Sequence, residues 1–245
     1  MAAATRHLGE NMKKTVRALW LGLALLTGVA GADDTLTIST NNTPRDRAVL
    51  EAVSREAFGR LGVGVQFVSL PSERSLRSAD EGLVDGEGLR VAGLEGQYPR
   101  LRRVPESYVG IDFVAFARDG AIRLDDGWAG LAPYRVVFIN GWKLFERQVT
   151  VARSVTKVDQ PEQLFRMLAA GRADLVLYTR ADGLALIRQL GLGGIAAVEP
   201  PLKQADMYLY LHQSKSALVE PLAGALQAMK TDGTYQRLVE EATGD

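Results

Sequence analysis

Between Leu36 and Gly82 the chain alternates two β-type runs with two helical ones, and this order restricts the fold more than any other feature. Leu36-Thr37-Ile38-Ser39 predicts a first strand, and Val65, Phe67 and the residues to Leu70 a second. Between them Leu50, Val53, Ala57 and Leu61 recur at helical spacing. Thr43 stands as the cap of that helix, Pro44 as its first residue and Gly62 as its stop. Ser72 to Glu81 predicts a short helix ended by Gly82. A β-α-β-α order predicts parallel strands with helices packed on them, so the fold class is α/β.

The same alternation continues further along the chain. Leu83 to Arg103 is Gly- and Arg-rich with poor periodicity, and no element is predicted there. Tyr108 to Ala117 predicts a long strand, interrupted only by Gly110 and Asp112. A second unit is expected to begin near Asp119. In it, Tyr134 to Ile139 is a strand leading into Asn140-Gly141-Trp142. Asp159 with Glu162 three residues on forms a capping box. It opens a helix carrying Leu164, Phe165 and Leu168, which Gly171 closes. Asp174 to Tyr178 is the next strand and Ala181 to Leu190 the next helix. Met207 to Leu211 is a last strand, before helices through Leu218 to Met229 and Thr234 to Glu241.

The N-terminal residues carry a different signal. Lys13, Lys14 and Arg17 precede an apolar run from Ala18 to Val29, followed by Ala30-Gly31-Ala32. Charge, short apolar stretch and a small-residue cleavage site are the order of a secretory signal peptide. Residues 1–32 are therefore expected to be removed near Ala32, from a start at either Met1 or Met12. The run falls short of the about 20 residues a membrane-spanning helix needs. Removing it takes Arg6, Lys13, Lys14, Arg17 and Glu10 from 29 basic and 29 acidic residues, leaving 25 against 28. A mature chain of charge −3 gives no electrostatic reason to expect nucleic acid or an anionic membrane as partner. The chain has no Cys, which excludes disulfides and a lipid-modified cysteine. Export without an anchor points to a periplasm, where the protein would be retained.

From Asp33 onward the chain resembles the type II periplasmic solute-binding proteins, in particular the family 3 extracellular solute-binding proteins of ABC importers. The residues that carry the resemblance are Leu70-Pro71-Ser72-Glu73-Arg74-Ser75, Gly82-Leu83-Val84-Asp85-Gly86-Glu87, and Tyr98-Pro99 with Arg103-Val104-Pro105-Glu106. Met167-Leu168 through Gly171-Arg172-Ala173-Asp174, then Tyr208-Leu209-Tyr210-Leu211 with Met229-Lys230 and Gly233, complete the series. The resemblance implies two α/β lobes joined by two crossing strands, with a ligand cleft between them. The crossings would lie near Val114 to Ala117 and Lys203 to Tyr208. Lobe 1 would comprise residues 33–117 and 206–245, and lobe 2 residues 118–205. It also implies a monomer that captures a small solute and delivers it to an inner-membrane permease. Amino-acid-binding members hold the ligand carboxylate with an Arg in a Thr-x-x-Arg segment and its ammonium with an Asp. Here Gln97-Tyr98-Pro99-Arg100 and Thr179 stand at those places, so the ligand is not implied beyond a small polar or anionic solute.

Specificity in such a cleft comes from a few polar groups on an apolar or aromatic lining. Arg74 can clamp a carboxylate or phosphate through its planar fork, or pair on the surface with Glu73 or Glu81. Arg90 faces the same choice between a ligand and the acids Asp85 and Glu87. Asn41 and Asn42 follow the first strand at the end where open α/β sheets bind ligands, and turn chemistry accounts for them equally. Trp142 is placed to stack on a ligand ring, whereas Trp128 reads as core. Tyr178, Thr179 and Arg180 lead into a helix N-terminus that favours an anion.

No catalytic motif is present: no G-x-S-x-G elbow, H-E-x-x-H, P-loop or G-x-G-x-x-G. Past the signal the only His is His212, and metal ligation would rest on carboxylates without EF-hand spacing. No cofactor is expected. Two alternatives stay open. One is a sensing module for a separate receptor. The other is a cyclohexadienyl-dehydratase-like enzyme using Asp85, Glu87 and Arg90, as some proteins of this fold do.

Overall fold

The computed structural model describes residues 35–41 and 43–244. The expected signal peptide, residues 1–32, and Asn42 lie outside the described residues. The first half-sheet is built by β1 (Leu36–Thr40), β2 (Val65–Ser69), β3 (Gly86–Arg90) and the short β4 (Leu101–Arg103). Helices α1 (Pro44–Arg60) and α2 (Ser72–Asp80) follow β1 and β2. The second half-sheet contains β5 (Val109–Ala117), β6 (Arg135–Ile139), β7 (Ser154–Val158) and β8 (Leu175–Thr179). Its helices are α3 (Lys143–Gln148), α4 (Pro161–Ala169) and α5 (Arg180–Gln189). The 17-residue β9 (Ala196–His212) then runs through both halves, and α6 (Val219–Thr231) and α7 (Thr234–Thr243) return to pack on α1.

The strand order is β2-β1-β3-β9-β5-β8-β6-β7, with β4 also on β9. Pairing is parallel where a helix connects strands (β1 with β2, β6 with β7 and β8), as crossovers require. It is antiparallel along β9. The N-terminal part of β9 pairs with β5, from Ala196 opposite Ala117 to Met207 opposite Val109. Its C-terminal part pairs with β3 and β4, from Tyr208 opposite Arg90 to Leu211 opposite Gly86. One strand thus stitches two α/β lobes together.

Each lobe has its own apolar filling. In the first, Ile38, Leu50, Val53 and Phe58 are sealed from solvent. In the second, Phe116 and Phe165 meet edge to face at 5.2 Å, with Phe138 and Phe145 beside them. Aromatic pairs of this geometry add stabilisation beyond their buried area.

Several expectations need correction. The stretch from Leu83 to Arg103 holds β3 and β4. All five residues of β3 are buried, so the strand has no alternation to read. Gly88 is needed there because a Cβ would lie 2.5 Å from Cδ2 of Leu50 on α1. The last strand begins at Ala196 and not at Met207, and its first part carries two prolines and three charged residues. The exposed edge strand β7 was not expected at all. Nor do the two helix caps act as predicted. Asp159 makes no cap to α4, which starts at Pro161 after Gln160. Thr43 donates its hydroxyl to Asn41 Oδ1 at 2.6 Å and leaves the α1 N-terminus to another group.

Candidate functional site

The two lobes meet where β1 enters α1 and β3 ends on one side, and where β6 enters α3 and β8 enters α5 on the other. Among the contacts that cross this boundary, four bear on the site. Asp182, in the first turn of α5, accepts hydrogen bonds from the backbone N–H groups of Arg45 (2.9 Å) and Asp46 (3.3 Å). It supplies the cap that Thr43 does not, satisfying two of the open donors of the first turn of α1. Trp142 Nε1 donates to Ser72 Oγ at 3.0 Å. Lys143 Nζ donates to Glu73 Oε2 at 2.8 Å. Gly141, at φ +82°, lies so close to α2 that a Cβ would come 2.5 Å from Glu73 N.

A cavity of about 30 Å³ lies at this junction, lined by Asn41, Asp46, Leu89, Arg90, Trp142 and Thr179 among others. That volume holds a water-sized group. Beside it opens a recess of about 400 Å³, bordered by Arg45, Arg47, Gln160, Glu162, Tyr178 and Asp182. Among the described residues, the buried side-chain polar atoms without a hydrogen-bond partner are Asp46 Oδ2 and Thr179 Oγ1. Both belong to the cavity wall, one from each lobe. Buried polar groups are nearly always satisfied, and here the two atoms face each other without a full hydrogen bond, the Thr179 hydroxyl favouring the ionised form of Asp46.

Electrostatics sharpen the picture. Burial, followed by the negative charge of Asp182, pushes the Asp46 carboxyl well above the usual carboxylate range. Burial raises Asp182 too, against the two N–H groups that favour its ionised form. At the other contact, burial works against the Lys143 ammonium, but the Glu73 and Glu146 carboxylates outweigh it and hold the group above its ordinary range. Glu146 also resists burial: Lys157, Lys143 and the Gly141 N–H bring it down to about 2.

The sequence-predicted residues divide into three groups. Asn41, Arg90, Trp142 and Thr179 come together in the cavity wall, and Tyr178 lines the recess beside them. Arg90 is bound on both sides of its fork, by Glu87 Oε1 at 2.5 Å and by the Ser72 carbonyl at 3.0 Å. Glu87 is itself buried and accepts from the hydroxyls of Ser39 and Ser75. Trp142 is stacked on both faces, on Tyr178 at 4.9 Å and Phe145 at 5.5 Å, leaving only its edge toward the cleft. Arg74 stands apart and exposed, on an open outer groove shared with Asn140, Asp159 and Gln160 of the other lobe. Arg180 turns away from the cleft, its guanidinium held by Asp112 and by both oxygens of Glu199. Asp85 is also remote from the cavity, accepting from Thr37 N and pairing with Lys215.

Asp46, Asp182, Ser72, Glu73 and Lys143 were not singled out from sequence. An acid in the first turn of a helix is ordinary macrodipole chemistry, and Asp46 and Asp182 both sit in such a turn. Nothing along the chain signals that two of them, 136 positions apart, face each other.

No family model matches the chain. A protein of uncharacterised function from Shewanella oneidensis is 24% identical over 199 residues, 78% of this chain and 75% of its own. A histidine kinase sensor domain with similarity to periplasmic binding proteins superposes with a TM-score of 0.72 at 17% identity, over 86% of this chain and 96% of its own. An ancestral arginine-binding protein bound to glutamine gives 0.69 at 20% identity, over 86% and 99%. The substrate-binding protein of an amino acid ABC transporter gives 0.69 at 13%, over 86% and 100%. These likenesses show the fold: this chain has the two-lobed architecture of the periplasmic binding proteins.

Proposed function

We propose that the protein is an exported, periplasmic solute-binding protein that captures a small polar solute between its lobes by hinge closure and hands it to an ABC-type importer. The observation that carries this reading is the pair of buried polar atoms without a full hydrogen bond, Asp46 Oδ2 and Thr179 Oγ1, one from each lobe in the same cavity. A solute that supplies partners to both would be held only when the lobes close. The proposed division is lobe 1, residues 33–117 with 206–245, and lobe 2, residues 118–205, with β5 and β9 as the shared strands. Within the cleft, Asn41 and Thr179 would meet the solute directly. Arg90 would orient Ser72, and Trp142 would form the apolar wall. Arg74 would guide solutes at the rim.

A second reading is favoured by a specific observation. The closed arrangement is maintained by the protein's own groups, Asp182 on α1, Trp142 on Ser72 and Lys143 on Glu73. A module whose closed form is stable is suited to being read by a separate receptor. The histidine kinase sensor domain of the same fold makes that comparison concrete.

The experiment is a thermal-shift screen of the mature protein against small polar metabolites, followed by calorimetry on any that raise the melting temperature. Binding at micromolar affinity with one solute per chain supports capture. A protein that responds to none of them contradicts it. Binding that is not accompanied by uptake through any permease favours the sensing role.

A further inference from the structure

We propose that closure of the two lobes takes up one proton, held by the Asp46–Asp182 carboxyl pair, so that the cleft shuts more tightly as the pH falls. The inference rests on the hinge-closure reading above and concerns what else closure requires.

The geometry is asymmetric in a way that assigns the charge. Both Asp182 oxygens accept backbone hydrogen bonds from the α1 N-terminus, at 2.9 and 3.3 Å, so its ionised form is satisfied where it lies. Asp46 has no such support. It is 8% exposed, Oδ2 makes no full hydrogen bond among the described residues, and the Thr179 hydroxyl beside it offsets burial and the Asp182 charge only in part. A second buried negative charge beside the first is costly, and a carboxyl in that position stays protonated. Once the lobes separate, both acids meet water and titrate in the ordinary carboxylate range. Closure therefore adds one positive unit to the pair.

The surroundings do not cancel this. Arg45, on α1 itself, favours the ionised form of Asp46, but less than burial and the Asp182 charge oppose it, and its guanidinium bonds the Thr243 carbonyl. From β8 come Thr179 and Tyr178, neither carrying charge, and Tyr108, before β5, is a neutral phenol. Across the cavity, Arg90 is neutralised by Glu87, and Lys143 by Glu73 and Glu146. Glu162, at the recess, adds further negative potential at Tyr178. The cavity of about 30 Å³ holds no more than a water-sized group, so a proton is the positive unit it takes, with an ammonium-sized cation as the rival that the test separates.

The sign follows from linkage. A carboxyl whose pKa is higher closed than open binds its proton on closing, so the closed fraction grows as the pH falls and shrinks as it rises through the closed-state value. One proton changes the closing equilibrium by up to tenfold per pH unit.

The absence of Cys makes the test direct. Cysteines replacing Leu83 and Asp159, which border the same outer groove from opposite lobes, carry a fluorescent pair. Energy transfer is followed from about pH 4 to about pH 9 in wild type, Asp46→Asn and Asp182→Ala. Wild type should open with rising pH. Asp46→Asn, neutral at every pH, should lose that response, and Asp182→Ala should stay open throughout. A pH response unchanged in Asp46→Asn overturns the proposal. So does closure at high pH when ammonium chloride replaces tetramethylammonium chloride, which would make a small cation the occupant. If no condition opens any of the three, and Gly141→Ala stays closed too, the hinge reading fails along with it. If Gly141→Ala opens while wild type is insensitive to pH, proton coupling alone fails.

Discussion

Trp142 Nε1 donates its hydrogen bond across the cleft to Ser72 Oγ, at 3.0 Å, from a ring stacked on Tyr178 and Phe145. The contact joins the loop after β6 to the first residue of α2. Ser72 also presents its carbonyl to Arg90, so the same residue ties β3 into the junction. Replacing Ser72 by Ala leaves a buried indole N–H unsatisfied in the closed form. The expected cost is about 1–3 kcal/mol of closure, read as a matching loss in solute affinity while the unfolding midpoint of each lobe is retained.

Gly141→Ala tests closure by sterics. A Cβ there would lie 2.5 Å from Glu73 N, and the φ of +82° is strained for any residue with a Cβ. Moving the lobes apart relieves the collision without disturbing either core. X-ray scattering should give a larger radius of gyration for the variant, with the far-ultraviolet dichroism of the parent.

Arg90→Ala should act on folding more than on recognition. Its guanidinium balances the fully buried Glu87, and burial already pushes that carboxyl above its usual range. Removing the partner leaves an uncompensated buried acid, at about 3–5 kcal/mol. Urea unfolding at neutral pH measures this. A variant as stable as wild type would return Arg90 to the list of direct ligand contacts.

The Lys143 contact has an acid limit. Glu146 titrates at about 2 in the folded protein, below its ordinary 4.5, so its contribution is complete above the ordinary value. It is lost as the pH falls through the range between the two. Glu73, also lowered, loses its contribution in the same direction. Lys143→Met should flatten the stability profile across this acid range and cost about 2 kcal/mol at neutral pH, between the exposed and buried limits for ion pairs. Chemical denaturation at several pH values checks both.

Periodicity made α1, α2, β2, β5 and β8 legible, because each has one face in water or a bounded apolar run. It failed at β3, where Gly86 to Arg90 is buried on every side, and at the first part of β9, where Glu199, Lys203 and Asp206 line an exposed strand. The site was half legible. Asn41, Trp142 and Thr179 were marked by their place at strand ends. Arg180 was marked for the same reason and yet is consumed by Glu199. Asp46 and Asp182 were hidden, since a cap delivered from another helix leaves no local spacing. The sequence carries Thr43 in the cap position and gives no sign that its hydroxyl is used by Asn41.

The central claim is that two lobes close on a small polar solute. Native mass spectrometry on residues 33–245, after exposure to a mixture of small polar metabolites, tests it most directly with Gly141→Ala as the comparison. The account predicts a small-molecule adduct on wild type that vanishes on denaturation and is missing from Gly141→Ala. Identical spectra for the two proteins, whether bare or equally loaded, would contradict capture between the lobes.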